Sequence, residues 1–61
     1  MKYNIGDRVK LNQDYTLQNG TIPKGTKGTV TKVNNITVTY NVDFGSGQTD
    51  IIVPESYLDN A

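Results

Sequence analysis

A chain of 61 residues buries only ~60% of the surface its unfolded form exposes, so residues 1–61 make one small domain and leave no material for a second. It contains no cysteine and no histidine, which excludes disulfides, Cys/His metal sites, thiol nucleophiles and imidazole acid–base chemistry. Six Lys+Arg balance six Asp+Glu, without the basic excess of a typical nucleic-acid binder.

From the amino terminus, Met1-Lys2-Tyr3-Asn4-Ile5-Gly6 offers no apolar stretch of signal-peptide length and nothing downstream approaches a membrane span, so the expected address is the cytoplasm. Gly6-Asp7 predicts a turn into a short strand, Arg8-Val9-Lys10-Leu11, with Val9 and Leu11 inward and the cations outward. Asn12 to Gly25 is a long polar connection, punctuated by Asn19-Gly20 and Pro23-Lys24-Gly25 and anchored by Tyr15, Leu17 and Ile22. The β-branched run Lys27 to Val33 ends at Asn34-Asn35, a pair suited to a tight hairpin turn. In Ile36 to Phe44 every even position is apolar or aromatic, the pattern of a strand with one buried face. Gly45-Ser46-Gly47 breaks that run, Gln48 to Val53 resumes it, and Pro54 closes it because proline cannot donate to a ladder. Pro54-Glu55-Ser56-Tyr57 suits one tight helical turn, leaving Tyr57-Leu58-Asp59 as a brief last strand.

Five short strands in so few residues predict an all-β fold, a small and highly bent barrel, since a flat sheet of this size encloses no core and protects no edge. Its expected interior is Val9, Leu11, Val30, Ile36, Val38, Val42, Phe44, Ile51, Val53 and Leu58, with Tyr40 on the buried register of its strand.

Two stretches carry a resemblance to a known superfamily. Ile5-Gly6-Asp7-Arg8-Val9-Lys10-Leu11, followed by Lys24-Gly25-Thr26-Lys27-Gly28-Thr29-Val30, looks like the cadence of bacterial SH3-like and KOW-type barrels. Gly47 to Leu58, ending in Val53-Pro54-Glu55-Ser56-Tyr57-Leu58, is similar to the closing segment of signalling SH3 domains. The resemblance implies a five-stranded SH3-like barrel with a long loop after the first strand and a short helical turn before the last. It also implies a peptide groove at Tyr15, Pro54 and Tyr57. The chain departs from the signalling family in having no tryptophan and in keeping only Asp14-Tyr15 of its first aromatic motif, which sets polyproline recognition aside. The connection from Asn12 to Pro23 is longer than the compact loop of the KOW motif.

Catalytic and cofactor motifs are weak throughout. No base stands at a recognisable spacing from Ser46 or Ser56, and the possible carboxylate pairs Asp43/Asp50 and Asp50/Glu55 lack a cleft in a barrel of this size, so no enzymatic activity is expected. Gly20 to Lys27 echoes a phosphate loop in the wrong residue order and runs into a strand rather than a helix. Asp43 to Asp50 has too few alternate oxygen ligands for a calcium loop. No cofactor and no metal is expected.

Residues 1 to 32 hold all six cations (Lys2, Arg8, Lys10, Lys24, Lys27, Lys32) and two acids (Asp7, Asp14), a net +4; residues 33 to 61 hold Asp43, Asp50, Glu55 and Asp59 and no cation, a net −4. Interleaved strands would neutralise this asymmetry, whereas alignment of Arg8, Lys10, Lys27 and Lys32 on one wall would suit a nucleic-acid backbone. The expectation is a non-catalytic binding module for a protein partner, acting as a small regulator, inhibitor or accessory subunit. Tyr15, Pro54 and Tyr57 are its contact residues, and RNA or DNA binding through the four cations is the alternative. Brevity alone suggests a mobile-element or phage origin.

Overall fold

The computed structural model describes all residues 1–61. Seven strands follow one another as β1 (Arg8–Leu11), β2 (Tyr15–Leu17), β3 (Gly20–Ile22), β4 (Lys27–Asn34), β5 (Thr39–Asp43), β6 (Ile51–Pro54) and β7 (Leu58–Asn60), with one 3-10 turn, Glu55–Tyr57, between β6 and β7. Five of them form an antiparallel sheet in the order β6-β5-β4-β1-β7, while β2 and β3 pair separately as a hairpin. The segment expected as a long loop is therefore partly ordered: Tyr15 lies opposite Ile22 and Leu17 opposite Gly20. No helix is long and apolar enough to cross a membrane.

The sheet is curved by necessity. Its outermost strands, β6 and β7, would stand four inter-strand spacings apart in a flat sheet, about 19 Å. They are joined by the three residues of the 3-10 turn, whose rise spans roughly 8 Å. A bulge supplies part of the bend: the β4–β5 register runs Val30↔Val42 and then Lys32↔Asn41, leaving Thr31 as the extra residue, its Oγ1 donating to the Asn41 carbonyl at 3.2 Å. Gly28 lets β4 and β5 approach closely. It pairs with Val9 and is buried, and a Cβ there would stand 2.6 Å from Val42 Cγ1 and 2.8 Å from the Asp43 carbonyl oxygen.

The core consists of Tyr3, Val9, Leu11, Ile22, Val30, Tyr40, Val42, Val53 and Leu58. Six of the ten expected aliphatic and aromatic positions are fully buried, and Phe44 and Ile51 pack against the cluster half-buried. Ile36 and Val38 are corrections, since both are exposed. The β4–β5 turn occupies residues 35 to 38 rather than Asn34-Asn35, because Asn34 is a strand residue opposite Thr39. Its Nδ2 donates to Thr39 Oγ1 at 3.1 Å and to Asn41 Oδ1 at 2.9 Å. The alternation in sequence continues through Ile36 and Val38, but the backbone leaves the sheet there, Val38 adopting φ 55°. Tyr3 and Ile22 join the core instead.

Both sheet edges are partly closed. Asn12 N donates to the Tyr57 carbonyl and Ala61 N to that of Arg8, so on β7 the backbone groups of Leu58 point away from β1. Leu58 N–H is bonded to the Glu55 carbonyl and its carbonyl accepts the Tyr3 hydroxyl at 3.1 Å. On β6 the outward carbonyl of Ile52 accepts the Tyr15 hydroxyl at 2.7 Å, and Pro54 has no N–H to offer.

Candidate functional site

The structure brings Tyr15 and Tyr57 together, and Pro54 opens the turn that carries Tyr57. Tyr15 comes from β2 and Tyr57 from the 3-10 turn; their rings meet edge to face with centroids 5.2 Å apart at 71°, a favoured aromatic geometry. The Tyr15 ring and the turn that carries Tyr57 are both braced. Tyr15 is held by its hydroxyl on the β6 edge, and the turn carrying Tyr57 is held by Asn12, whose N–H reaches the Tyr57 carbonyl at 2.8 Å and whose Nδ2 reaches the Ser56 carbonyl at 3.0 Å. Tyr15, Pro54 and Tyr57 are all half-buried, so their apolar bodies are fixed by packing while part of each surface faces solvent. Proline starts the turn because its fixed φ, −61° here, suits the entry to a helical turn.

The cations divide into two groups. Arg8 and Lys10 point outward from β1; Lys10 lies opposite Lys27 of β4 on one side and Asp59 of β7 on the other, and Arg8 opposite Thr29, to whose Oγ1 it donates at 2.9 Å. Lys32 lies beyond the bulge, opposite Asn41, five residues along β4 from Lys27, roughly 17 Å at strand rise. Arg8, Lys10 and Lys27 thus form a cluster from which Lys32 is separated. Asp43, opposite Thr29, and Asp59 interleave with that cluster, so the charges of the two chain halves do not segregate here.

Most carboxylates act as acceptors that hold the fold. Asp7 takes the Asn4 N–H at 2.8 Å, Asp14 the Lys24 N–H at 2.7 Å, Asp43 the Gly45 N–H at 2.8 Å and Asp50 the Asn41 Nδ2 at 2.9 Å. Glu55 accepts both the Tyr40 hydroxyl and the Lys2 N–H. That carboxyl titrates below its ordinary range because the Tyr40 hydroxyl, and after it the Lys2 N–H, hydrogen-bond the charged form. Tyr40 is pushed upward by burial first and by its bond to Glu55 second. Burial likewise raises Tyr3, with the charges of Asp59 and Glu55 adding to it.

A second surface shares only Lys32 with the site residues singled out from sequence. On the outer side of β4, β5 and β6, Lys32, Asn34, Thr39, Asn41 and Ile52, together with Ile36 from the turn, line an open hollow of about 530 Å³. Ile36 is 99% exposed and Ile52 56%. Alternation concealed this surface by assigning Ile36 and Val38 to the interior.

No family model matches the chain, and neither a curated protein nor a solved structure matches it.

Proposed function

We propose that this chain is a small SH3-like barrel that works as a non-catalytic protein-binding module, its contact surface built on Tyr15, Tyr57 and Pro54. The fold part of this reading is supported by the strand order β6-β5-β4-β1-β7 and by the short 3-10 link that draws the two edge strands toward each other. The function part rests on one observation, the braced and partly open Tyr15–Tyr57 pair. Two tyrosines held rigid before binding lose little entropy on contact, and they offer apolar area with a polar tip, the composition of interface hot spots. The partner is gripped by side chains rather than by an added strand, since Tyr15 and Tyr3 occupy outward carbonyls of β6 and β7. A domain of this size acts by covering a surface on something larger, as a regulator, inhibitor or accessory subunit.

Crosslinked affinity capture from the native host, with the wild type and with Tyr15→Ala/Tyr57→Ala run in parallel, tests the reading. Loss of the captured protein from the double variant, with the fold intact by circular dichroism, is the expected result; equal capture removes the tyrosines from the site.

The adjacency of Arg8, Lys10 and Lys27 supports a second reading, a backbone contact with RNA or DNA, to which Lys32 contributes from farther along β4. Asp43 and Asp59 beside that cluster weigh against it. A titration with random RNA and DNA decides between the two: binding that falls steeply with salt favours nucleic acid, and negligible binding at low ionic strength removes it.

A further inference from the structure

We propose that the outer face of β4, β5 and β6 is the interface of a weak homodimer, in which Ile36 of each copy packs into the hollow of the other. Ile36, Val38 and Ile52 are three of the five large apolar residues that stand exposed, and all three lie at this face or at the turn above it. Ile36 and Ile52 line the hollow itself. Val38 holds a left-handed backbone, φ 55°, a conformation that a β-branched residue rarely adopts. It lies in the turn that carries Ile36 into solvent, and strain of this kind collects at functional positions.

Charge complementarity identifies the occupant. Lys32, Asn41 and Ile52 form one row across β4, β5 and β6. The Asp50 carboxylate is level with that row, because it accepts Asn41 Nδ2 at 2.9 Å, and it enters from the β6 side, whereas Lys32 stands on the β4 side. A two-fold axis lying above β5 and parallel to the strands exchanges the β4 and β6 sides without changing the level. Each Lys32 then faces the Asp50 of the other copy, and each Ile36, kept at the level of the turn beyond the Asn34–Thr39 pair, comes over the upper end of the partner's hollow beside Thr39. A face carrying both a projecting aliphatic side chain and a hollow, with opposite charges at its two margins, is complementary to itself.

The association is face to face, since β6 has Pro54 and the Tyr15-bonded carbonyl of Ile52 along its free edge. It is also weak. A standard interface buries about 800 Å² per partner, roughly a fifth of the 3850 Å² this molecule exposes, and one face of a body measuring 27 × 21 × 19 Å supplies less. The Tyr15–Tyr57 pair takes no part, so the dimer stands or falls independently of the proposed partner surface.

Sedimentation velocity of the full chain from roughly 10 µM to 1 mM tests the interface. The mass is expected to rise from one chain to two across that range. Ile36→Asp, at a fully exposed position, is expected to weaken association by about tenfold or more. Lys32→Glu and Asp50→Lys should each weaken it and the double exchange should restore it, while Tyr57→Ala leaves it unchanged. Amide spectra of each variant establish that the fold is kept. Should Asp50→Lys fail to fold, a nuclear Overhauser effect between Ile36 and Thr39 methyls of different copies, in a sample mixed from differently labelled chains, replaces the exchange. A single-chain mass throughout, an Ile36→Asp curve superimposed on the wild type, or a folded double exchange no better than its parents overturns the proposal; the first of these leaves the face to a different occupant.

Discussion

The Tyr40 hydroxyl donates to Glu55 Oε2 at 2.5 Å while accepting the N–H of Tyr3 at 3.0 Å, and the same carboxylate oxygen accepts the Lys2 N–H at 3.0 Å. One buried phenol and one carboxylate thereby tie the amino-terminal segment to β5 and to the 3-10 turn. The Tyr3 ring completes the closure, edge to face on Tyr40 with centroids 5.4 Å apart.

Acid should release this tie. The Glu55 carboxyl titrates lower in the folded chain than in the unfolded one, so its contribution is present in full above the unfolded value and is lost as pH falls through the folded value. Urea unfolding at a series of pH values should show stability dropping below the ordinary Glu range. In Glu55→Gln that drop should be smaller. Tyr40→Phe removes the main cause of the shift and leaves the buried Tyr3 N–H without its acceptor, so it should flatten the acid slope and destabilise by roughly 1–3 kcal/mol. An unchanged acid slope in both variants would show that other carboxylates govern it.

Alkali should act on the same cluster with the opposite sign. Tyr3 and Tyr40 titrate higher in the folded chain than in the unfolded one, so their contribution is complete below the unfolded tyrosine value, about 10, and disappears as pH rises through the folded values. Ultraviolet titration should show part of the tyrosinate absorbance appearing together with the cooperative loss of β circular dichroism. Smooth ionisation of all four tyrosines before unfolding would contradict the buried arrangement.

Gly28 tests how tightly the curved sheet is packed. A methyl group there meets Val42 Cγ1 at 2.6 Å, the Asp43 carbonyl at 2.8 Å and Phe44 Cδ1 at 2.9 Å. Two of these atoms belong to side chains and one to the backbone, so relief requires β4 and β5 to separate. Gly28→Ala is expected to destabilise by roughly 1–3 kcal/mol in urea unfolding. A neutral result would mean that the two strands give way easily at this crossing.

Val38 predicts a gain rather than a loss. Its φ of 55° suits asparagine far better than a β-branched residue, and its side chain is 47% exposed, so little packing is forfeited. Val38→Asn should stabilise by about 1 kcal/mol, read as a higher urea midpoint with an unchanged slope. A lower midpoint would show that the valine side chain holds the turn.

The residues legible in sequence are those whose environment is set by their immediate neighbours. Alternation in Arg8 to Leu11 put Val9 and Leu11 inside, and the same period placed Val30, Tyr40, Val42 and Val53 there, because a strand turns every second side chain to one face. Pro54 announced the end of β6 and the helical turn after it, since a locked φ and a missing N–H act locally. Tertiary structure decided what periodicity cannot encode. Ile36 and Val38 continue the alternation of β5, yet they lie in solvent because Asn34 pairs with Thr39 and the turn takes four residues. Tyr3 and Ile22, outside any long alternating run, are buried in one cluster with residues far along the chain, Tyr3 against Tyr40 and the Leu58 carbonyl. Tyr15 and Tyr57 come into contact only when the β2–β3 hairpin lies across the β6 edge, and Lys32 parts from Arg8, Lys10 and Lys27 because β4 extends past β1 and bends at Thr31. Pattern reports which face of a strand is apolar; which strands meet, and where a turn ends, follow from packing the whole sheet on one core.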